Sequence, residues 1–231
     1  MSIERINKTE ELLNAFLEVK FQNYVELQDF IELHIKKVQE ELDIKWDEME
    51  NVELHEFYEH AEKNGINDLL KFDYELPNKV RYSAIVQSFS MLEFYMKWLC
   101  DRISIIKDSK FKSSDLKGNS DLEKGKLYIF RLYQIDLKSF EPEWNFINDM
   151  RIIRNQIIHK NGEFNSNELE IIKLITKYDE LGIMYDGIRS KTEDQEIEIK
   201  SKMLNENFIG SIKSMFLKLL QEIKRKEQDI A

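Results

Sequence analysis

The residues with chemistry to offer are gathered in one run, Asp149-Met-Arg-Ile-Ile-Arg-Asn-Gln-Ile-Ile-His-Lys-Asn-Gly162. Arg154 stands directly before Asn155, and His159 follows four residues later. The apolar pairs Ile152-Ile153 and Ile157-Ile158 surround them, and Asn161-Gly162 reads as a helix stop. Polar groups set into an apolar helix must find partners or do work, because burying them unpaired costs roughly 2–7 kcal/mol. Histidine titrates near neutral pH and serves as acid or base. Arginine keeps its charge and presents a fork that fits phosphate. Asparagine can bond the phosphate or hold the arginine. RNA carries its own nucleophile, the 2′-hydroxyl, so such a set needs no metal to cleave it. Two copies across a two-fold axis would supply two histidines, one for each proton moved.

The spacing sets a geometric condition. Positions five apart on a regular helix differ by about 140° in direction. Either Arg154 reaches around, or the helix distorts near His159, or working pairs come from different subunits. The structural alternative is that Arg154 pairs with Glu93 in the core and His159 closes the helix end.

The elements that must position this run are helical. Pro142 marks the start of its own helix, whose inward positions are Trp144, Ile147, Met150, Ile153, Ile157 and Ile158. Pro77 marks the start of the most apolar helix, Asn78 to Ile106, with Val80, Ala84, Ile85, Ser88, Met91, Leu92, Tyr95, Leu99, Ile103 and Ile106 facing inward. Glu93 is a lone carboxylate on it; it either reaches solvent or pairs with a buried cation, Arg154 being the candidate. From Lys107 to Gly125 the chain is polar and reads as a loop. Lys107, Lys110, Lys112 and Lys117 make it the best local candidate for phosphate contact, with a solvated loop as the alternative. Lys160, inside the motif, joins them as a candidate RNA contact.

Outside these helices, Asn7-Lys-Thr-Glu10 resembles a capped helix start. The stripe Leu13, Phe16, Leu17, Tyr24, Leu27, Ile31, Ile35, Val38 and Leu42 then predicts one helix roughly 50 Å long. That stripe needs a partner, either the rest of the chain or a second protomer. His34 beside it reads as satisfied or solvated. A second, acidic helix is expected from Trp46 to Lys63, closed by Asn64-Gly65. His55 and His60 on it are five apart, not the four that aims both at one metal, so no metal site is expected. Further helices are expected over 122–137, over 168–178 and from Asn205 as a cap, the last with Phe208, Ile212, Met215, Phe216, Leu219 and Ile223 on one face and a basic tail, Lys224-Arg-Lys226. Ile183-Met-Tyr185 and Glu196-Ile-Glu-Ile199 suggest a small β-hairpin around Asp186-Gly187. The fold class is all-α in the main: an antiparallel helical bundle with an added N-terminal helical region and one small hairpin.

The bulk numbers set limits. The chain has 231 residues, of which 42% are hydrophobic and 34% charged, and only 7 Gly and 2 Pro punctuate it, which suits long helices. A net charge of −10 argues against nucleic-acid binding over the whole surface, since phosphate needs a positive field, but leaves room for a local basic pocket. The single cysteine, Cys100, allows no internal disulfide and fits inert packing in a reducing compartment. No apolar run reaches membrane-spanning length, and the start lacks a basic-then-apolar signal. The expectation is a cytoplasmic protein.

Two segments carry a resemblance. Ser83-Ala-Ile-Val-Gln-Ser-Phe-Ser-Met-Leu-Glu93 is similar to the first core helix of the HEPN domain family, and Arg154-Asn-Gln-Ile-Ile-His159 resembles its Arg–polar–spacer–His motif. The resemblance covers about residues 78 to 225. It implies a HEPN-like helical domain over 77–231, with 1–76 as a helical extension. It also implies a metal-independent endoribonuclease with no cofactor, of the kind found among toxins and phage-defence effectors. Arg154 and His159 would be the catalytic pair, Asn155 a positioning residue and Glu93 a supporting one. Implied partners are RNA, a second copy in a homodimer, and an antitoxin or other regulatory protein. Some relatives carry a tyrosine two residues after the histidine, which a partner antitoxin nucleotidylates; Asn161 stands there instead. Other relatives have lost nuclease activity, so a non-catalytic dimerisation or nucleotide-binding module is the alternative.

Overall fold

The computed structural model describes residues 2–49, 71–118, 120–184 and 195–230. It begins with α1, Ser2–Met49, a single helix of 48 residues. The start lies at Ser2 rather than near Asn7. Thr9 spends its hydroxyl within the helix, donating back to the Arg5 carbonyl at 2.9 Å, so the capping signal is internal. Ile6, Leu13, Leu17, Phe21, Ile35 and Leu42 bury one face of α1. The expected stripe is split, for Phe16 and Leu27 remain 40% and 53% exposed. The expected acidic helix beyond Met49, with His55, His60 and the Asn64-Gly65 stop, lies outside the described residues.

A wide helical turn, Lys71–Glu75, leads into α2, Leu76–Ile106, with Pro77 in its first turn where a missing N–H costs nothing. Ile85, Leu92, Leu99 and Ile103 are buried as the spacing predicts, and Phe89 and Met96 join them. Val80, Ala84, Met91 and Ile106 are only half-buried. α2 is the hub: it packs on α1, on α3 (Asp121–Tyr133), on α4 (Glu143–Lys160) and on α6 (Met203–Ile230). The buried cluster runs from Ile6 in α1 to Ile223 in α6, across the expected 76/77 boundary, which coincides with the start of α2.

α3 is capped by Ser120, whose hydroxyl accepts from the Glu123 N–H at 3.2 Å. It ends at Tyr133 rather than Leu137, because Gln134 turns left-handed at φ 57°. Gly125 lets it close on α2: a Cβ there would come within 2.5 Å of Met96 Cγ. Cys100 lies in this contact, 1% exposed. Burial pushes its thiol up to about 12. The folded protein should therefore resist a thiol reagent at pH 8 under conditions that label the urea-unfolded chain to completion.

A three-stranded antiparallel sheet sits beyond the motif helix: β1 (Glu163–Phe164), β2 (Leu181–Met184) and β3 (Gln195–Ile199), in the order β1-β3-β2. The expected hairpin is present, pairing Ile183 with Ile197 and Met184 with Glu196. Its Asp186-Gly187 turn is outside the described residues. β1, directly after the motif, was not expected. α5 (Leu169–Lys177) joins β1 to β2. The first turns of α2 anchor the sheet. Buried Asn78 donates to the Ile197 carbonyl at 2.9 Å and accepts from the Ile199 N–H at 2.8 Å, and the Tyr82 hydroxyl donates to the same Ile197 carbonyl.

Asn205 is not a cap. α6 starts at Met203, and the Asn205 amide is buried, accepting from Ser88 at 2.8 Å and donating to Gln28 at 3.1 Å, which ties α6 to α2 and α1. Phe208, Ile212, Met215, Phe216, Leu219 and Ile223 form the expected buried face. The fold is mainly α with a small antiparallel β element. Among the described residues no helix is long and apolar enough to cross a membrane.

Candidate functional site

α4 presents the motif. Pro142 stands at its N-cap, and Trp144, Ile147, Met150 and Ile153 fix which face points inward. Ile158, expected inside, is 44% exposed. The helix closes on backbone alone: the Asn161 and Gly162 N–H groups both donate to the Gln156 carbonyl, with Asn161 at φ 54° and Gly162 at φ 86°. His159 therefore does not close it. The helix is regular from Arg154 through Lys160, so it does not distort between the two catalytic candidates. They stand about 7.5 Å apart along the axis and about 140° around it, with Asn155 between them on the exposed face.

Arg154 is half-buried. Its Nη1 donates to Asn155 Oδ1 at 3.0 Å, and its guanidinium lies 5.6 Å from the Phe89 ring centre, a cation–π arrangement. Its Nε is buried with no hydrogen-bond partner. Among the described residues no carboxylate comes within ion-pair distance of it. Glu93 is near enough to feel Arg154 but does not pair with it. Burial pushes the Glu93 carboxyl up, Arg154 pulls it back, and Asp121 adds to the rise. His159 is exposed, and among the described residues it makes no hydrogen bond or ion pair.

The sign of the Glu93 shift gives a test. A carboxyl whose folded-state value is raised disfavours the fold once ionised. The penalty is present above the raised value and gone below the unfolded value near 4.3. Glu93→Gln should raise the melting temperature at pH 7, and the gain should shrink as pH falls towards 4, read by circular dichroism melts.

The lysines fare differently. Lys107 forms an ion pair with buried Glu227 and lies 4.9 Å from the Tyr133 ring centre, so it is committed to the fold. It follows the far end of α2, 18 positions beyond Phe89, or about 27 Å. Lys110, Lys112 and Lys117 are exposed on the loop that leaves that end. Within one chain the length of α2 sets Lys107 apart from Arg154, whose guanidinium lies over Phe89. Lys160 is next to His159 but is held by Glu168 at 2.7 Å. That bond comes first among the causes holding the Glu168 carboxyl below its usual range.

Two cations near the motif were missed. Arg151, one turn before Arg154, lies 3.5 Å from Glu123 and has a buried Nε without a partner. Its three-residue spacing from Arg154 was the available signal. Lys79 donates to Asn161 Oδ1 at 3.3 Å and pairs with Glu196 at 2.9 Å. It sits at a mostly apolar groove of about 730 Å³ between α1 and α2, into which Ile157 and Asn161 also face.

No family model, curated protein or solved structure matches this chain. The HEPN resemblance stands on the motif and the α2 segment alone. Among the described residues no group of three or more histidine, cysteine or carboxylate side chains could hold a metal ion.

Proposed function

We propose that the chain is a metal-independent endoribonuclease of HEPN type that works as a dimer, in a toxin or phage-defence role restrained by a regulatory partner. The observation that carries this reading is the state of Arg154. Asn155 and the Phe89 ring hold it on the motif face, and among the described residues no carboxylate forms an ion pair with it. An arginine fixed in this way is prepared to meet phosphate oxygens. Exposed His159 supplies the titrating group five residues on. In the proposed reaction one His159 takes the proton of the 2′-hydroxyl. The 2′-oxygen attacks phosphorus, and the bond from phosphorus to the 5′-oxygen breaks. A second His159 protonates the departing 5′-oxygen. Arg154 holds the non-bridging oxygens as charge builds, and Asn155 positions Arg154. A single chain supplies one histidine, directed away from its own Arg154. The two-fold arrangement is therefore part of the proposal.

The test is RNA cleavage by purified protein in EDTA. Cleavage that His159→Ala abolishes supports the reading; cleavage that persists unchanged in His159→Ala contradicts it. A second reading, a non-catalytic dimerisation module, is favoured by the apolar side chains left exposed on α1. It predicts that Arg154→Ala and His159→Ala leave function intact, whereas charges placed on α1 abolish it.

A further inference from the structure

α1 carries a second apolar stripe that the protein's own core does not use. Phe16 packs edge-on against Trp98, and Leu27 lines the groove beside α2. That leaves Val19, Phe30, Leu33 and Ile44 exposed by 57%, 71%, 55% and 60%. These four fall on alternating three- and four-residue steps, 19, 23, 26, 30, 33, 37, 40 and 44, the repeat of a coiled-coil seam. The polar positions in the series are Asn23, Glu26, Lys37 and Glu40, and all are exposed. Half of the eight positions are thus apolar, on the outer face of a helix whose inner face is already buried.

The charges select the partner and its direction. In a parallel pair of identical helices each position meets itself, so Glu26 opposes Glu26, Lys37 opposes Lys37 and Glu40 opposes Glu40. In an antiparallel pair centred between Ile31 and Glu32, position i meets 63 − i. Phe30 then meets Leu33, Val19 meets Ile44, Glu26 meets Lys37 and Asn23 meets Glu40, each contact occurring twice by symmetry. Apolar residues meet apolar ones, and the lysine meets a glutamate. We infer that α1 is a self-association surface, and that its occupant is the same stripe of a second copy, packed antiparallel over about 38 Å of helix. The pairing is independent of the ribonuclease reading and uses none of its residues.

The test is sedimentation of the full chain at low salt, with far-UV circular dichroism to confirm that each variant is folded. The wild type should sediment as an assembly twice the mass of that formed by Phe30→Glu with Leu33→Glu, which stays folded and keeps any pairing made through the motif. Glu26→Lys alone, or Lys37→Glu alone, turns two attractions into two repulsions and should weaken the dimer about tenfold. An equimolar mixture of those two single variants should recover the wild-type affinity, because each lysine then faces a glutamate. The double swap Glu26→Lys with Lys37→Glu should recover it as well. A wild type no larger than the Phe30→Glu with Leu33→Glu variant overturns the proposal. So do single charge variants that dimerise like the wild type, the result expected of a parallel pair. RNA cleavage measured on the same variants reports separately on the proposed activity.

Discussion

His159→Ala is expected to reduce RNA cleavage by about 10⁴-fold or more while leaving the melting temperature almost unchanged. One positioned acid or base contributes about 10²–10⁴ in rate, and here the same residue, from two copies, supplies both. Its exposure and lack of partners among the described residues limit the stability effect to about 0.5 kcal/mol. Arg154→Ala should cost about 10²–10³, the scale of losing one preorganised charge contact to a transition state. Arg154→Lys should restore little of it, because a point charge cannot keep both the Asn155 bond and the place over Phe89. Asn155→Ala should fall between the wild type and Arg154→Ala, since it frees the guanidinium without removing it. Initial rates on one RNA, with melts in parallel, give all four numbers. A structural motif would show the reverse: lowered melting temperatures and unchanged rates.

Gly162→Ala should produce the largest loss of stability of any one-methyl change at the site. Gly162 sits at φ 86°, which L residues adopt at a cost of about 1–2 kcal/mol. An added Cβ would fall 2.0 Å from the Tyr82 hydroxyl oxygen and 2.6 Å from its ring carbon. Tyr82 cannot step aside cheaply, for it is 3% exposed and its hydroxyl is spent on the Ile197 carbonyl of β3. Overpacking and the strained or lost bond bring the expected total to about 3–5 kcal/mol. For a chain of this length that is a fall in melting temperature of roughly 10 °C. A fall under about 2 °C would mean that the contact relaxes freely. The same substitution displaces the end of α4, so cleavage should fall even at temperatures where the variant is folded.

Much of this architecture was legible because it rests on local patterns. The prolines at 77 and 142, the Asn161-Gly162 stop, the apolar face from Phe208 to Ile223 and the β2–β3 hairpin all follow from spacing or turn chemistry. What was hidden depends on partners distant in sequence. β1 is two residues long, too short for an alternating pattern, and exists because β3 offers it an edge. Asn205 carries the composition of a cap, but its amide meets Ser88 and Gln28 from two other helices. Lys107 looked like a free cation in a lysine-rich loop, and Glu227 of α6 claims it. The α1 stripe merged two faces into one: Leu13 and Leu17 go inward, whereas Phe16 and Leu27 stay exposed. At the motif, residue types and spacing were readable at once. That Arg154 has Asn155 and Phe89 as neighbours, with Glu93 close but unpaired, required the fold.

The most direct measurement of the central claim is the chemistry of the RNA ends. Purified protein is incubated with single-stranded RNA in EDTA, and the fragments are resolved with and without enzymatic removal of 2′,3′-cyclic phosphate. Transfer to phosphorus from the neighbouring 2′-oxygen predicts 2′,3′-cyclic phosphate on one fragment and 5′-hydroxyl on the next. It also predicts that RNA bearing 2′-O-methyl groups resists cleavage. No cleavage by the dimer, or fragments ending in 3′-hydroxyl and 5′-phosphate, would contradict it.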